Sequence, residues 1–170
     1  MRAYYTKKML QFKKPAGTSR GVLTEKPSWF LVLYDEGEHQ KTAIGECSLI
    51  PGLSPDQEGK VESKLSGICD SINQGKEPDL TFQGLPAAKF AWVMAGIDYS
   101  LEGQRLLFPS DFTSGQEGIP INGLIWMGEA DEMRGQVHKK ITQGFGCIKL
   151  KIGALGMEKE LDILHEIRKD

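Results

Sequence analysis

Two lysines, Lys149 and Lys151, stand two residues apart in Cys147-Ile148-Lys149-Leu150-Lys151-Ile152. In a strand, side chains two apart leave the same face, so both ammonium groups would point one way. Two cations that close each disfavour the other's charge. A lysine so placed suits a general base working near neutral pH. It would fit removal of a proton α to a carboxylate, with a Mg2+ ion stabilising the enediolate. The plainer alternative is a polar edge strand carrying two solvated lysines, because Lys is depleted from buried strands. The flanking residues argue for the first reading. Cys147, Ile148, Leu150 and Ile152 are apolar, and Gly153-Ala154-Leu155-Gly156 follows at once. The pattern predicts a strand buried on its outer face, with both lysines on its inner face near the C-terminal end. Barrels of alternating strands and helices place their chemistry at that end.

Other patterns carry less. Gly144-Phe145-Gly146 opens like a dinucleotide fingerprint, but it lacks the third glycine and precedes a strand instead of following one. His165-Glu166 begins a zinc-protease pattern, yet the position of the second histidine is Lys169. His39, His138 and His165 read as surface residues. Glu129, Asp131 and Glu132 read as the acidic start of a helix, where the dipole favours anions. Cys47, Cys69 and Cys147 are widely spaced and odd in number, so they form neither a disulfide framework nor a metal pair.

The elements that must position the lysines follow from periodicity. Residues 2–13 read as a strand, and 14–21 as a loop rich in turn formers. Ser28 to Tyr34 and Lys41 to Cys47 read as two further strands of an antiparallel meander. Leu49 to Pro55 is broken by two prolines and a glycine. Asp56 to Gln74 is a helix with Val61, Leu65, Ile68, Cys69 and Ile72 on one face and Gly75 as its stop. Pro86 to Leu101 is a helix with Phe90, Ala91, Val93, Met94, Ile97 and Leu101 on a broad apolar face. From Ile119 the pattern changes to strand (Ile121 to Met127), helix (Ala130 to Thr142), strand (Cys147 to Ile152) and helix (Met157 to Lys169). That alternation implies parallel strands with helical crossovers. The fold class expected is therefore an α+β domain over residues 1–118 followed by the first βα units of a (β/α) barrel over 119–170. A complete barrel takes roughly 250 residues, so these 52 hold about two units. The remainder is expected from more chain or from a second one.

With 21 basic and 23 acidic residues the net charge is -2, which gives no electrostatic reason to expect nucleic acid or an anionic membrane as partner. The longest apolar run, Phe90 to Ile97, is far short of the ~20 residues that cross a bilayer. Residues 1–8 show no apolar core of a secretory signal. A cytoplasmic location is the expectation.

The segment Gly144 to Gly153 resembles the Lys-x-Lys strand of the enolase superfamily, second in its barrel. The chain before it is similar to that superfamily's capping domain, with Glu117-Gly118-Ile119-Pro120-Ile121-Asn122-Gly123-Leu124 entering the barrel. Gly45 to Ser54 and Gly17-Thr18-Ser19-Arg20-Gly21 look most like the o-succinylbenzoate synthases. The resemblance implies a Mg2+-dependent syn dehydration in menaquinone biosynthesis, acting on a small carboxylate. Lys151 would remove the α-proton and return it to the leaving hydroxyl. Lys149 would tune that base and face the substrate carboxylate. Thr18, Ser19 and Arg20 would close over the pocket beside Gly52, Leu53 and Ser54. Dipeptide epimerisation and muconate cycloisomerisation belong to the same branch and stay open, as does a non-catalytic split domain acting as an assembly partner. The family's carboxylate metal ligands fall on barrel strands beyond these residues. The resemblance therefore implies no metal ligand here, and no activity from these 170 residues alone. A homo-oligomer, or a second chain completing the barrel, is the partner expected.

Overall fold

Trp29, Leu31 and Leu33 stand two apart in an apolar run, so their side chains share one face of a sheet, with Val32 buried on the other. In the computed structural model, which describes residues 1–18, 21–37, 41–153 and 155–168, these three lie on β2 (Gly21–Tyr34). β1 (Arg2–Thr18) and β3 (Thr42–Ser48) flank it in the order β1-β2-β3. β2 and β3 are antiparallel, with Trp29 opposite Cys47, Leu31 opposite Gly45 and Leu33 opposite Ala43. The chain then forms α1 (Glu58–Asn73), α2 (Pro86–Ser100), β4 (Gly123–Ile125), α3 (Ala130–Thr142), β5 (Ile148–Leu150) and α4 (Met157–Ile167). This is a sheet-and-helix capping region followed by βα units, as the sequence pattern implied.

By its internal contacts the chain divides into two compact units. One comprises Met1–Phe12 and Glu25–Gln116, the other Lys13–Thr24 and Glu117–Asp170. In the first, the sheet face bearing Trp29, Leu31, Leu33, Ala43 and Cys47 forms one core with Val61, Leu65, Ile68, Cys69 and Ile72 of α1 and Ala88, Ala91 and Ala95 of α2. The α1 stripe is the one its spacing predicts. The helix stops at Gly75, whose φ of +69° suits glycine. Gly75 N–H donates to the Ile72 carbonyl (3.0 Å) and Lys76 N–H to that of Ser71 (2.8 Å), the paired bonds of a Schellman end.

The buried face of α2 is not the one expected. Ala88, Ala91, Ala95 and Asp98 face inward, while Phe90 is 58% exposed. The cause is how closely β3 approaches. A Cβ on Gly45 would fall 1.9 Å from the Ala91 carbonyl oxygen. Only small side chains fit under that contact, so Phe90 and Val93 turn away from it, while Trp92 and Tyr99 pack against the core only in part.

The sheet also departs from expectation at one end. Residues 14–21 read as a loop, yet β1 continues to Thr18 and β2 starts at Gly21. Pro15 is tolerated because β1 is an edge strand. Gly21, at φ +130°, takes a conformation open to glycine.

In the second unit, β4 and β5 pair in parallel, with Gly123 opposite Ile148, Leu124 opposite Lys149 and Ile125 opposite Leu150. Ile125, Met133, Val137 and Ile163 form its core, against which Ile148 and Leu150 pack. Both strands are shorter than their apolar runs. Beyond Ile125, the Trp126 N–H donates to Gln136 Oε1 (2.9 Å), and Gln136 Nε2 donates to the Trp126 carbonyl (3.2 Å). These bonds take both backbone groups of Trp126, just past the end of β4. Among the described residues no helix is long and apolar enough to cross a membrane.

Candidate active site

The β4–β5 ladder sets the positions of the two lysines. Ile125 and Leu150 turn toward α3 and α4, so by strand alternation Leu124 and Lys149 occupy the other face. Lys151 lies one residue beyond the end of β5, not inside it. The buried outer face expected around the lysines is limited to Ile148 and Leu150. Cys147 is exposed and Ile152 is 59% exposed, because the short ladder gives neither a packing neighbour in the core.

A cavity of about 300 Å³ opens at this place. Leu124, Trp126, Met127 and Gly17 wall it together with Lys149 and Lys151, all within the second unit. Both lysines are exposed, and among the described residues neither ammonium has an ion-pair partner. Two cations beside an apolar wall are suited to an anion attached to a hydrocarbon body. The lysines pair with the charge, and Leu124, Trp126 and Met127 take the rest.

Reasoning from the sequence passed over Leu124, Trp126 and Met127. The signal was available: Leu124 and Trp126 are two apart in an apolar strand, so they share a face. Gly17, quoted only as part of a loop motif, contributes backbone to the cavity. A Cβ there would lie 3.8 Å from that of Met127, an ordinary contact.

Among the described residues, the others singled out from the sequence are not in the lining of this cavity. Thr18 is the last residue of β1, and Ser19 and Arg20 lie outside the described residues. Gly52, Leu53 and Ser54 belong to the first unit, in a turn closed by Leu53 N–H and Ser54 N–H donating to the Ile50 carbonyl (3.0 and 2.9 Å). Ser54 Oγ accepts from Ile50 N–H at 2.9 Å, so that lone pair serves the turn itself. Gly52, at φ +76°, makes the bend. Gly52 and Ser54, with Asp56 and Glu58, line a separate cavity of about 210 Å³.

The remaining candidates are structural. Asp131 and Glu132 stand in the first turn of α3, where Arg134 pairs with Asp131 (2.9 Å) and with Glu166 of α4 (2.7 Å). His138 and His165 are exposed, and His39 lies outside the described residues. Burial, then the nearby Asp56 and Glu46 charges, push the Cys47 thiol up to about 12. Burial and Asp70 push Cys69 up to about 11. Both are inert as nucleophiles at neutral pH. Among the described residues no three His, Cys, Asp or Glu side chains come together to hold a metal ion. These residues therefore do not fit a Mg2+ site.

A three-stranded sheet packed on two helices, followed by parallel βα units with a lysine pair at the end of the second strand, is the arrangement of the enolase superfamily. No family model matches the sequence. The o-succinylbenzoate synthase of Desulfotalea psychrophila strain LSv54 is 39% identical over an alignment of 201 residues, covering 99% of this chain and 54% of that protein. The crystal structure of MenC from Desulfotalea psychrophila LSv54 superposes with a TM-score of 0.79 at 33% identity, over 99% of this chain and 53% of that one. The o-succinylbenzoate synthase from Thermosynechococcus elongatus BP-1, solved with Mg in its active site, shares the fold, with a TM-score of 0.67 at 22% identity over 99% of this chain and 48% of that one. The chain spans about half the length of these relatives. It is an enolase-superfamily homologue, close to the o-succinylbenzoate synthases, and so of enzymatic lineage.

Proposed function

We propose that this chain supplies the proton-transfer lysines of an o-succinylbenzoate synthase. Residues 1–118 act as its capping domain and 119–170 as the start of its barrel. Lys151 takes the proton from the carbon α to the ring carboxylate of a hydroxylated cyclohexadiene, breaking the C–H bond. Lys149 pairs with that carboxylate and stabilises the charge that grows on it. The Lys151 ammonium then gives its proton to the departing hydroxyl on the same face. Water leaves and the ring becomes aromatic. The segments at Thr18, Ser19 and Arg20 and at Gly52, Leu53 and Ser54 contribute to substrate selection. None of the described residues seats the magnesium named with the Thermosynechococcus relative.

The observation that supports this reading is the pairing of Lys149 and Lys151 with the apolar wall of Leu124, Trp126 and Met127 around one cavity. The test is formation of o-succinylbenzoate from its cyclohexadiene carboxylate precursor by the longest polypeptide that carries this sequence, with Mg2+ supplied. Turnover that disappears in Lys151→Ala supports the reading. Solvent deuterium entering the α-carbon of a dipeptide, with no dehydration, would replace it by the epimerase alternative. An intact, folded polypeptide active on neither substrate would leave an assembly role.

A further inference from the structure

Glu160 is the one acidic residue buried in the second unit among those described. Its side chain is only 5% exposed, on the first turn of α4. A buried carboxylate is costly unless its oxygens are hydrogen-bonded. Glu160 Oε1 accepts from Gly153 N–H at 2.7 Å and from Leu155 N–H at 3.0 Å. Both donors precede Gly156, the residue that caps α4. The carboxylate therefore holds the incoming loop rather than satisfying the helix's own first-turn N–H groups, which is what a capping side chain does.

That loop is the one that carries Lys151. Upstream, the β4–β5 ladder ends at the pair Ile125–Leu150. Downstream, Ile152 is exposed and packs on nothing in the core. Gly153 follows at φ +102°, a conformation L side chains rarely adopt. Lys151 is thus suspended between two fixed points, the last ladder pair and the Gly153 N–H held by Glu160. We propose that Glu160 is a positioning residue for Lys151: its buried carboxylate fixes the turn that aims the Lys151 ammonium into the cavity of Leu124, Trp126 and Lys149. The kinetic consequence rests on the dehydratase reading above. The structural one does not.

The test uses the longest polypeptide carrying the sequence, with Glu160→Ala, Glu160→Gln, Glu160→Asp and, as control, Ile163→Val. Ile163 is buried in the same helix, in the core against which Leu155 also packs, and its truncation loosens that core without removing a hydrogen bond to the loop. Glu160→Gln keeps an acceptor oxygen in reach. Glu160→Asp keeps the charge but withdraws it by one methylene. Turnover is measured with the cyclohexadiene carboxylate. The Lys151 resonance is followed in protein labelled at lysine 13Cε and assigned by its loss in Lys151→Arg. In Glu160→Ala and Glu160→Asp, kcat is expected to fall about tenfold to a hundredfold, the scale set by slight misplacement of a reacting group, with KM little changed. Glu160→Gln restores most of it. The Lys151 resonance moves in the Ala and Asp variants and stays in place in Ile163→Val. If Glu160→Ala does not fold, Glu160→Asp against Glu160→Gln gives the same comparison. A merely structural role would lower the melting temperature of these variants while leaving kcat and the Lys151 resonance as in the parent, and that result overturns the proposal. So does an equal loss of kcat in Ile163→Val. A parent with no dehydratase activity, whose Lys151 resonance still responds to Glu160→Ala and not to Ile163→Val, rejects the function and supports the positioning role.

Discussion

The side-chain amide of Gln136 pairs with both backbone groups of Trp126, accepting its N–H at 2.9 Å and donating to its carbonyl at 3.2 Å. A residue of α3 thereby does for β4 what a further strand residue would do, and it does so at a position that walls the lysine cavity. The wall is held by the helix behind it. In Gln136→Ala the two backbone groups lose their partners. Because this stretch is partly exposed, water replaces them and the cost is about 1 kcal/mol. Amide hydrogen exchange reads this directly: the Trp126 N–H loses its protection, while amides in the core of α3 keep theirs. Unchanged protection at Trp126 would show that the amide clamp is not formed in solution.

Gly45 and Gly96 give opposite expectations on facing elements. A Cβ at Gly45 would meet the Ala91 carbonyl oxygen at 1.9 Å and Ala95 N at 2.8 Å, both backbone atoms of α2 that cannot swing aside. Gly45→Ala is expected to destabilise by about 3 kcal/mol or more. At Gly96, inside α2, an added Cβ would meet nothing within 4 Å. Gly96→Ala is expected to stabilise by about 0.5–1 kcal/mol through helix propensity. Urea unfolding of the two variants, compared at constant m-value, checks both signs.

Asp98 sets an acid limb in the first unit. Burial would raise its carboxyl, but Arg105 N–H, Ile44 N–H and the Arg105 guanidinium outweigh burial and hold it below the ordinary 3.8. Its side chain is 1% exposed, and it ties α2 to β3 and to the turn after α2. A carboxyl depressed in the folded state contributes stability that is fully present above its unfolded value. That contribution is lost as pH falls below 3.8 and through the folded value. Asp79, drawn down to about 2 by Lys64 and then by Thr81, loses its share between 3.8 and about 2. Urea midpoints from about pH 7 down to about pH 2 are expected to fall in the parent. In Asp98→Asn the curve should start lower and fall less steeply. Parallel curves for parent and variant would show that Asp98 does not contribute to the acid limb.

How much of this was legible in the sequence depends on how local each determinant is. The limits of α3 follow from Asp131 and Glu132 at one end and Gly144 at the other, and the α1 stripe follows from spacing alone. The lysine pair could be seen as a pair because the residues between and around it are apolar. The length of β1 was hidden by Pro15 and Gly17, which read as breakers and are harmless at a sheet edge. The inward face of α2 was hidden because its choice of alanines over Phe90 depends on Gly45, far earlier in the chain. Glu160 gave no signal. It is one of several acidic residues on an amphipathic helix, and only its contacts with Gly153 and Leu155 set it apart.

Lys149 and Lys151 differ in how each is held and in the role proposed for each, and this leads to different kinetic expectations. Lys149 sits in the ladder opposite Leu124, between the pairs that Ile148 and Leu150 make with β4. Lys151 lies just past the strand, held from its far side by the Gly153 contact with Glu160 instead of by a ladder pair. A group that pairs with the substrate carboxylate acts on the bound ground state. A group that moves a proton from carbon to a leaving oxygen acts in the chemical step. Lys151→Ala is therefore expected to lower kcat by about 10²–10⁴ with little change in KM. Lys149→Ala is expected to raise KM as well, because it removes binding present in the ground state. Lys149→Arg keeps the charge and should recover KM. Lys151→Arg keeps the charge but cannot release a proton near neutral pH, and should recover nothing. Steady-state kinetics of the four variants on the cyclohexadiene carboxylate distinguish the roles. Recovery of kcat by Lys151→Arg would move the base elsewhere and leave Lys151 as a simple charge.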